Sequence, residues 1–213
     1  TLAHSEMADE LVGITGVALG DTDAEVREWA ATVLGPRGRL AEEFVPRLVE
    51  QLVRDPEKRC RETAARALGR IGKASPENRS GVAALERAAK GDVDPVTRVV
   101  ALGALALMSP EDVQHVDAVA KYLAHDDSLT RMKAAHALGY LGGRSSAAAP
   151  AIGKALTMSS DARERGYLAR SLGQIGDRGQ LATLLSEYRK ERSEVAQGEM
   201  RVAIKRLGGE VPR

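Results

Sequence analysis

Aromatic side chains are scarce in this sequence: 213 residues include one Trp, one Phe and four Tyr, 3% in all. That scarcity argues against a β-sandwich or barrel, whose strands favour aromatic and β-branched residues. A single cysteine excludes an intrachain disulfide framework and a cysteine-rich zinc site. No apolar run approaches the roughly 18 residues of a membrane span, and no secretory leader is visible at the start. These two absences favour the cytoplasm slightly and otherwise leave the compartment open. Charge of one sign is lacking as well. Lysine and arginine total 31 and the acidic residues 30, a net charge of +1. The chain as a whole therefore has no pull toward nucleic acid or an anionic membrane.

What is present suits helices. Ala, Leu, Arg and Glu dominate, and the 43% apolar fraction is sufficient for a core. One phrase recurs: Val26-Arg27-Glu28-Trp29-Ala30-Ala31-Thr32-Val33-Leu34-Gly35 returns as Cys60 to Gly69 and as Thr130 to Gly139. Anchored on its leucine, the phrase has six copies, at Leu34, Leu68, Leu105, Leu138, Leu172 and Leu207, spaced by 34, 37, 33, 34 and 35 residues. Seven positions before the anchor stand Arg27, Arg61, Arg98, Arg131 and Arg165, with Met200 as the exception. Eleven before stand Asp23, Glu57, Asp94, Asp127 and Asp161, with Ala196 as the exception. Upstream of each phrase lies an apolar segment with spacings of three and four, such as Val45, Leu48, Val49 and Leu52. Each unit therefore reads as a first helix, a turn and a second helix. The acid is expected to cap the second helix. The arginine is expected to pair with that acid or with one in the next repeat. The Leu-Gly is expected to end the helix, with further glycines two or three residues on supplying left-handed conformations.

The pattern Asp-x-x-Val-Arg-x-x-Ala-Ala-x-x-Leu-Gly, cleanest at Asp23 to Gly35, resembles the HEAT repeat superfamily in its short, phycobilisome-lyase-type form. The resemblance implies an all-α solenoid of about six HEAT-like repeats. As one domain over 1–213 they fall at approximately 1–38, 39–75, 76–109, 110–143, 144–177 and 178–213. It fixes fold more than function, because the superfamily holds scaffolds, bilin lyases, alkylpurine DNA glycosylases and an iron-dependent hydroxylase.

The residues give little support to the enzymes. The hydroxylases use adjacent His-Glu pairs, whereas His4, His115, His125 and His136 form no such dipeptide. No metal or other cofactor is expected. Cys60 occupies a core slot, where it acts as a small hydrophobe. The rival, a thiol activated by Arg59 and Arg61, lacks a nearby histidine. Trp29 and Tyr167 are too few to make a stacking platform for nucleic acid, and Trp29 is expected to pack against a neighbouring helix.

In solenoids of the resembled kind the second helices line the concave face. On a helical wheel of about 100° per residue, positions nine, six and two before the anchor point away from the buried side. In repeats three and four these are apolar: Val96 and Val99, beside Val100, then Leu129 and Met132, with His136. Further along come Arg163, Arg170, Arg201 and Lys205. These ten residues form the expected partner-binding surface for a protein or peptide. Asp23, Asp94, Asp127 and Asp161, with Arg27, Arg61, Arg98, Arg131 and Arg165, are expected to be structural. The leading expectation is a non-enzymatic interaction scaffold. The alternatives are a lyase-like or glycosylase-like enzyme on the same fold and a structural spacer in a larger chain.

Overall fold

The computed structural model describes residues 12–109 and 111–212, and all regular structure among them is helical. The chain divides into two compact units, Thr1–Glu111 and Asp112–Arg213. In the first, helical residues 12–17 and a 3₁₀ turn precede α1 (Ala24–Leu34), α2 (Val45–Arg54), α3 (Lys58–Ala74), α4 (Val82–Gly91) and α5 (Pro95–Met108). The second contains α6 (Val113–Lys121), α7 (Ser128–Leu141), α8 (Ala149–Met158), α9 (Ala162–Ile175), α10 (Leu181–Lys190) and α11 (Glu194–Arg206). The repeating element is a pair: a short first helix (α2, α4, α6, α8, α10) packed on a second (α3, α5, α7, α9, α11). In the first unit α1 packs on α3 and α3 on α5. In the second unit α7 packs on α9 and α9 on α11. The fold is thus that of an α-solenoid, built within each unit by stacking one pair on the next.

Local sequence explains the elements. In α2, Val45, Leu48 and Leu52 are buried while Pro46, Arg47, Glu50 and Arg54 are exposed, so a helical period sorts apolar from polar side chains. Proline near the start of α2, α5 and α8 supplies a preset φ where no N–H bond is needed. The five anchors Leu34, Leu68, Leu105, Leu138 and Leu172 are all buried, each stabilising the stack by roughly 2 kcal/mol.

Two sequence expectations change. The Leu-Gly does not end most second helices: α3 continues beyond Gly69, α7 beyond Gly139 and α9 beyond Gly173. This glycine is a contact point. A Cβ on Gly69 would lie 2.8 Å from the Cα of Ala104 in α5, and one on Gly173 would lie 2.8 Å from the Cα of Ala203 in α11. Only a residue without a side chain lets the neighbouring backbones come this close. The left-handed turns fall three residues further on, as expected, at Gly142 (φ +62°) after α7 and Gly176 (φ +82°) after α9.

The sixth copy is also misaligned by three residues. Gly173 meets Ala203, the residue before Ile204, just as Gly69 meets Ala104, the residue before Leu105. The anchor of the sixth copy is therefore Ile204, fully buried. Ser193 then occupies the acid's place and caps α11, accepting from Ala196 N–H. Gln197 stands in the arginine's place.

Candidate partner-binding surface

The recurring arginines do not pair with the capping acids of their own helices. Asp23, Asp94, Asp127 and Asp161 accept backbone N–H groups at the start of α1, α5, α7 and α9. The arginine donates instead to a carbonyl thirteen positions before its own anchor: Arg27 to Asp21, Arg61 to Asp55, Arg98 to Asp92, Arg131 to His125 and Arg165 to Ser159. Gln197 repeats the contact with the carbonyl of Glu191. Four of the arginines also grip a carboxylate of the next repeat through two nitrogens. Arg27 holds Asp55 at 2.7 and 2.9 Å, and Arg61 holds Asp92 at 2.8 and 3.1 Å. Arg131 holds Glu164 at 2.6 and 2.7 Å, and Arg165 holds Glu191 at 2.6 and 2.9 Å. Planar guanidinium and carboxylate match in this fork geometry.

The position thirteen before the anchor escaped the sequence reading because its residue type varies: Asp21, Asp55, Asp92, His125, Ser159 and Glu191. Its task does not vary. In each copy its side chain accepts the N–H of the residue two further on, in the fourth through His125 Nδ1 and in the fifth through Ser159 Oγ. Where Ser159 supplies no carboxylate, Glu164 does so from within α9, held also by the hydroxyls of Ser128 and Ser159.

Asp55, Glu164 and Glu191 are acidified. Burial is the largest single influence on Asp55 and Glu164 and raises both, but the bonds and charge of Arg27 with the Glu57 N–H, and of Arg131 with the Ser159 and Ser128 hydroxyls, together outweigh it, and both lie below their usual values. The Arg165 fork, against the opposing effect of burial, brings Glu191 down to about 2. These charges hold the stack together at the turn edge, where they are largely withdrawn from solvent.

The expected apolar patch does not survive. Val96, Val99 and Met132 are buried, at 2%, 0% and 9% exposure, and Val100 is half-buried. The register of the third copy is sound, since Asp94 caps α5 as expected. The error lies in the assumed width of the buried arc. From Val99 to Met108 no residue of α5 is exposed, so the helix is enclosed all round. The position six before the anchor belongs to the seam between second helices: a Cβ on Gly166 would lie 3.6 Å from Ala196 and Glu199 of α11.

Leu129, His136, Arg163, Arg170, Arg201 and Lys205 are exposed, all in the second unit. The corrected register moves the last two. Arg201 takes the place held by Ala135 and Ala169, and Lys205 the place held by Gly139 and Gly173. Both lie on the side of α11 that in α7 and α9 meets the next second helix, and make that side polar. With the anchor at Ile204 the outward places nine and two before it fall to Val195 and Val202, exposed by 76% and 49%. The ridge of the second unit thus presents Leu129 and His136 from α7, Arg163 and Arg170 from α9, and Val195 and Val202 from α11. Arg170 is bonded to Glu199 and lies 5.5 Å from the Tyr167 ring centre.

The other singled-out residues lie apart. Cys60 is buried, its Sγ 3.3 Å from the carbonyl of Ala24, and burial raises its pKa. Trp29 is 56% exposed rather than packed. His4 lies outside the described residues. Among the described residues no cluster of three His, Cys, Asp or Glu could hold a metal, and no helix is long and apolar enough to cross a membrane.

A family model described as HEAT repeats matches residues 15–106 and 82–166. No curated protein sequence matches significantly. Among solved structures, one engineered protein is 20% identical, with a TM-score of 0.56 over 95% of this chain and 99% of its own. A second engineered protein is 21% identical, with a TM-score of 0.51 over 93% of this chain and 58% of its own. The complex of CpcE and CpcF of phycocyanin lyase from Nostoc sp. PCC7120 is 19% identical, covering 92% of this chain and 94% of that one at a TM-score of 0.49. At these identities the likeness concerns the fold.

Proposed function

The chain belongs to the HEAT-repeat family, and from that premise we propose that it is a non-enzymatic scaffold, gripping a protein or peptide on the open side of its second helices. The observation that carries this reading is the ridge of the second unit. Three successive second helices present apolar Leu129, Val195 and Val202 around Arg163 and Arg170. Exposed apolar side chains gathered on one face mark an interaction surface, and arginine is enriched at interface centres. Arg163 has no ion-pair partner among the described residues, so its charge is available to a ligand carboxylate.

The test is a triple variant, Leu129→Asp/Arg163→Glu/Val202→Asp, at three exposed positions. Proteins captured from the native cell by the wild-type chain should fall by about tenfold with the variant, while the two melting curves coincide. An unchanged captured set with an intact fold would overturn the ridge as the binding surface.

A further inference from the structure

Four grooves lie along the first helices within the two units, and one differs from the other three. It lies in the second unit, between the end of α6 with the turn Tyr122–Ala124 and the exposed side of α8, and has a volume of about 540 Å³. The corresponding grooves beside Leu19 and Arg47, beside Val49 and Arg87, and beside Arg165 and Lys190 measure about 350, 330 and 250 Å³. Side-chain size explains the difference. Arg47, Glu50 and Arg54 fill one of the smaller grooves and Glu187, Lys190 and Glu191 another, whereas Ala120, Ala124, Ala151 and Ala155 leave the large one open.

Its chemistry differs too. In the smaller grooves most charges are closed on one another, Arg54 on Glu50, Lys190 on Glu187 and Arg165 on Glu191, while Arg47 donates to the carbonyl of Gly16 and Arg87 has no ion-pair partner among the described residues. In the large groove Arg131 is satisfied by Glu164, but Lys121 and Lys154 have no ion-pair partner among the described residues. His125 accepts a backbone N–H at Nδ1, so the neutral ring carries its proton on Nε2 as a further donor. The only acid lining the groove is Asp126. Met158, 73% exposed at its mouth, is a polarisable, adaptable apolar contact.

We infer that this groove is a second binding site, and that its ligand is a short acidic peptide segment carrying one apolar side chain. The apolar side chain lies on Leu123, Ala155 and Met158, and flanking carboxylates pair with Lys121 and Lys154. The volume falls within the roughly 300–1,000 Å³ of ligand sites. The charge imbalance selects the sign of the ligand and speeds its encounter. The site is separate from the ridge and does not depend on it.

The experiment selects random decapeptides displayed on phage against the full chain, then measures the best synthetic peptide by fluorescence anisotropy. Enriched sequences should place Asp or Glu around one apolar residue. Lys121→Glu/Lys154→Glu, and separately Met158→Asp, should weaken that peptide by about tenfold or more, with unchanged melting curves because all three residues are exposed. The ridge triple variant should bind it as the wild type does. The site is refuted if selection yields no binder, if enriched sequences lack acidic residues, or if the groove variants bind undiminished. A peptide lost only with the ridge variant would refute the groove and leave the scaffold reading standing.

Discussion

The second unit uses the same kind of ion pair, arginine on glutamate, at its turn edge and on its ridge, in two different environments. Arg131 and Glu164 join α7 to α9, and Arg170 and Glu199 join α9 to α11, each through two nitrogens. The first pair is sunk into the turn edge, with side-chain exposures of 22% and 1%. The second lies open at 47% and 24%. Arg131 also binds the carbonyls of His125 and Asp126, and Glu164 accepts two hydroxyls. The ridge pair has no comparable surround: Arg170 lies over Tyr167, and Arg206 adds its charge near Glu199. Charge that fixes the stack is therefore separated from charge that faces solvent, and the ridge can change its sequence for recognition at small cost in stability.

The largest effect should come from breaking the turn edge. Arg131→Ala leaves the Glu164 carboxylate buried with only hydroxyls for partners, and should cost about 3 kcal/mol in chemical denaturation. Asp127→Ala removes the cap of α7 at a cost of about 1 kcal/mol. Because Arg131 grips Glu164 rather than Asp127, the two losses should add. Coupling between Arg131 and Asp127 above about 0.5 kcal/mol in a double-mutant cycle would show that the cap and the strut are one device.

Acid should find the same edge. Glu191 titrates at about 2 in the folded chain against an ordinary value of 4.5. A folded pKa below the unfolded one means that the strut stabilises fully above pH 4.5, and that this contribution drains away as pH falls toward about 2. The melting temperature should therefore drop across that window, and more gently in Glu191→Gln. Parallel pH profiles for the two proteins would remove Glu191 from the acid response and weaken the contrast between edge and ridge.

The fold was legible because anchor, acid and arginine repeat with little change, and each answers to one physical task, save that Glu57 makes no side-chain cap on α3. The strut was only half legible. Its arginine keeps its identity, but the group that receives the next N–H can be Asp, His, Ser or Glu, since all that is required is an acceptor. The sixth copy misled because Leu207 imitates the anchor, while Ser193 and Gln197 preserve the cap and the carbonyl contact with different residues. The apolar patch misled for a geometric reason. A wheel drawn with a single buried arc suits a helix packed on one side, but α9 has α7, α8 and α11 around it. The true ridge, with Val195 and Val202, becomes visible only once the register is corrected.

The smallest effect is expected where the ridge pair is cut. Arg170→Ala removes a bidentate contact whose partners are already hydrated and screened by salt, and exposed pairs of this kind contribute about 0.2–1 kcal/mol. Glu199 sits below its ordinary pKa because of Arg170, yet its carboxylate can turn to water when the arginine is gone. The loss should be about 0.5 kcal/mol and should shrink further in high salt. The same substitution strips a cation from the ridge beside Arg163, so it should slow association of a carboxylate-bearing partner while leaving the melting curve nearly unmoved. If Arg170→Ala instead destabilises the fold as much as Arg131→Ala, the ridge pair is a structural strut. The surface proposed for recognition would then be reduced to Leu129, His136, Arg163, Val195 and Val202.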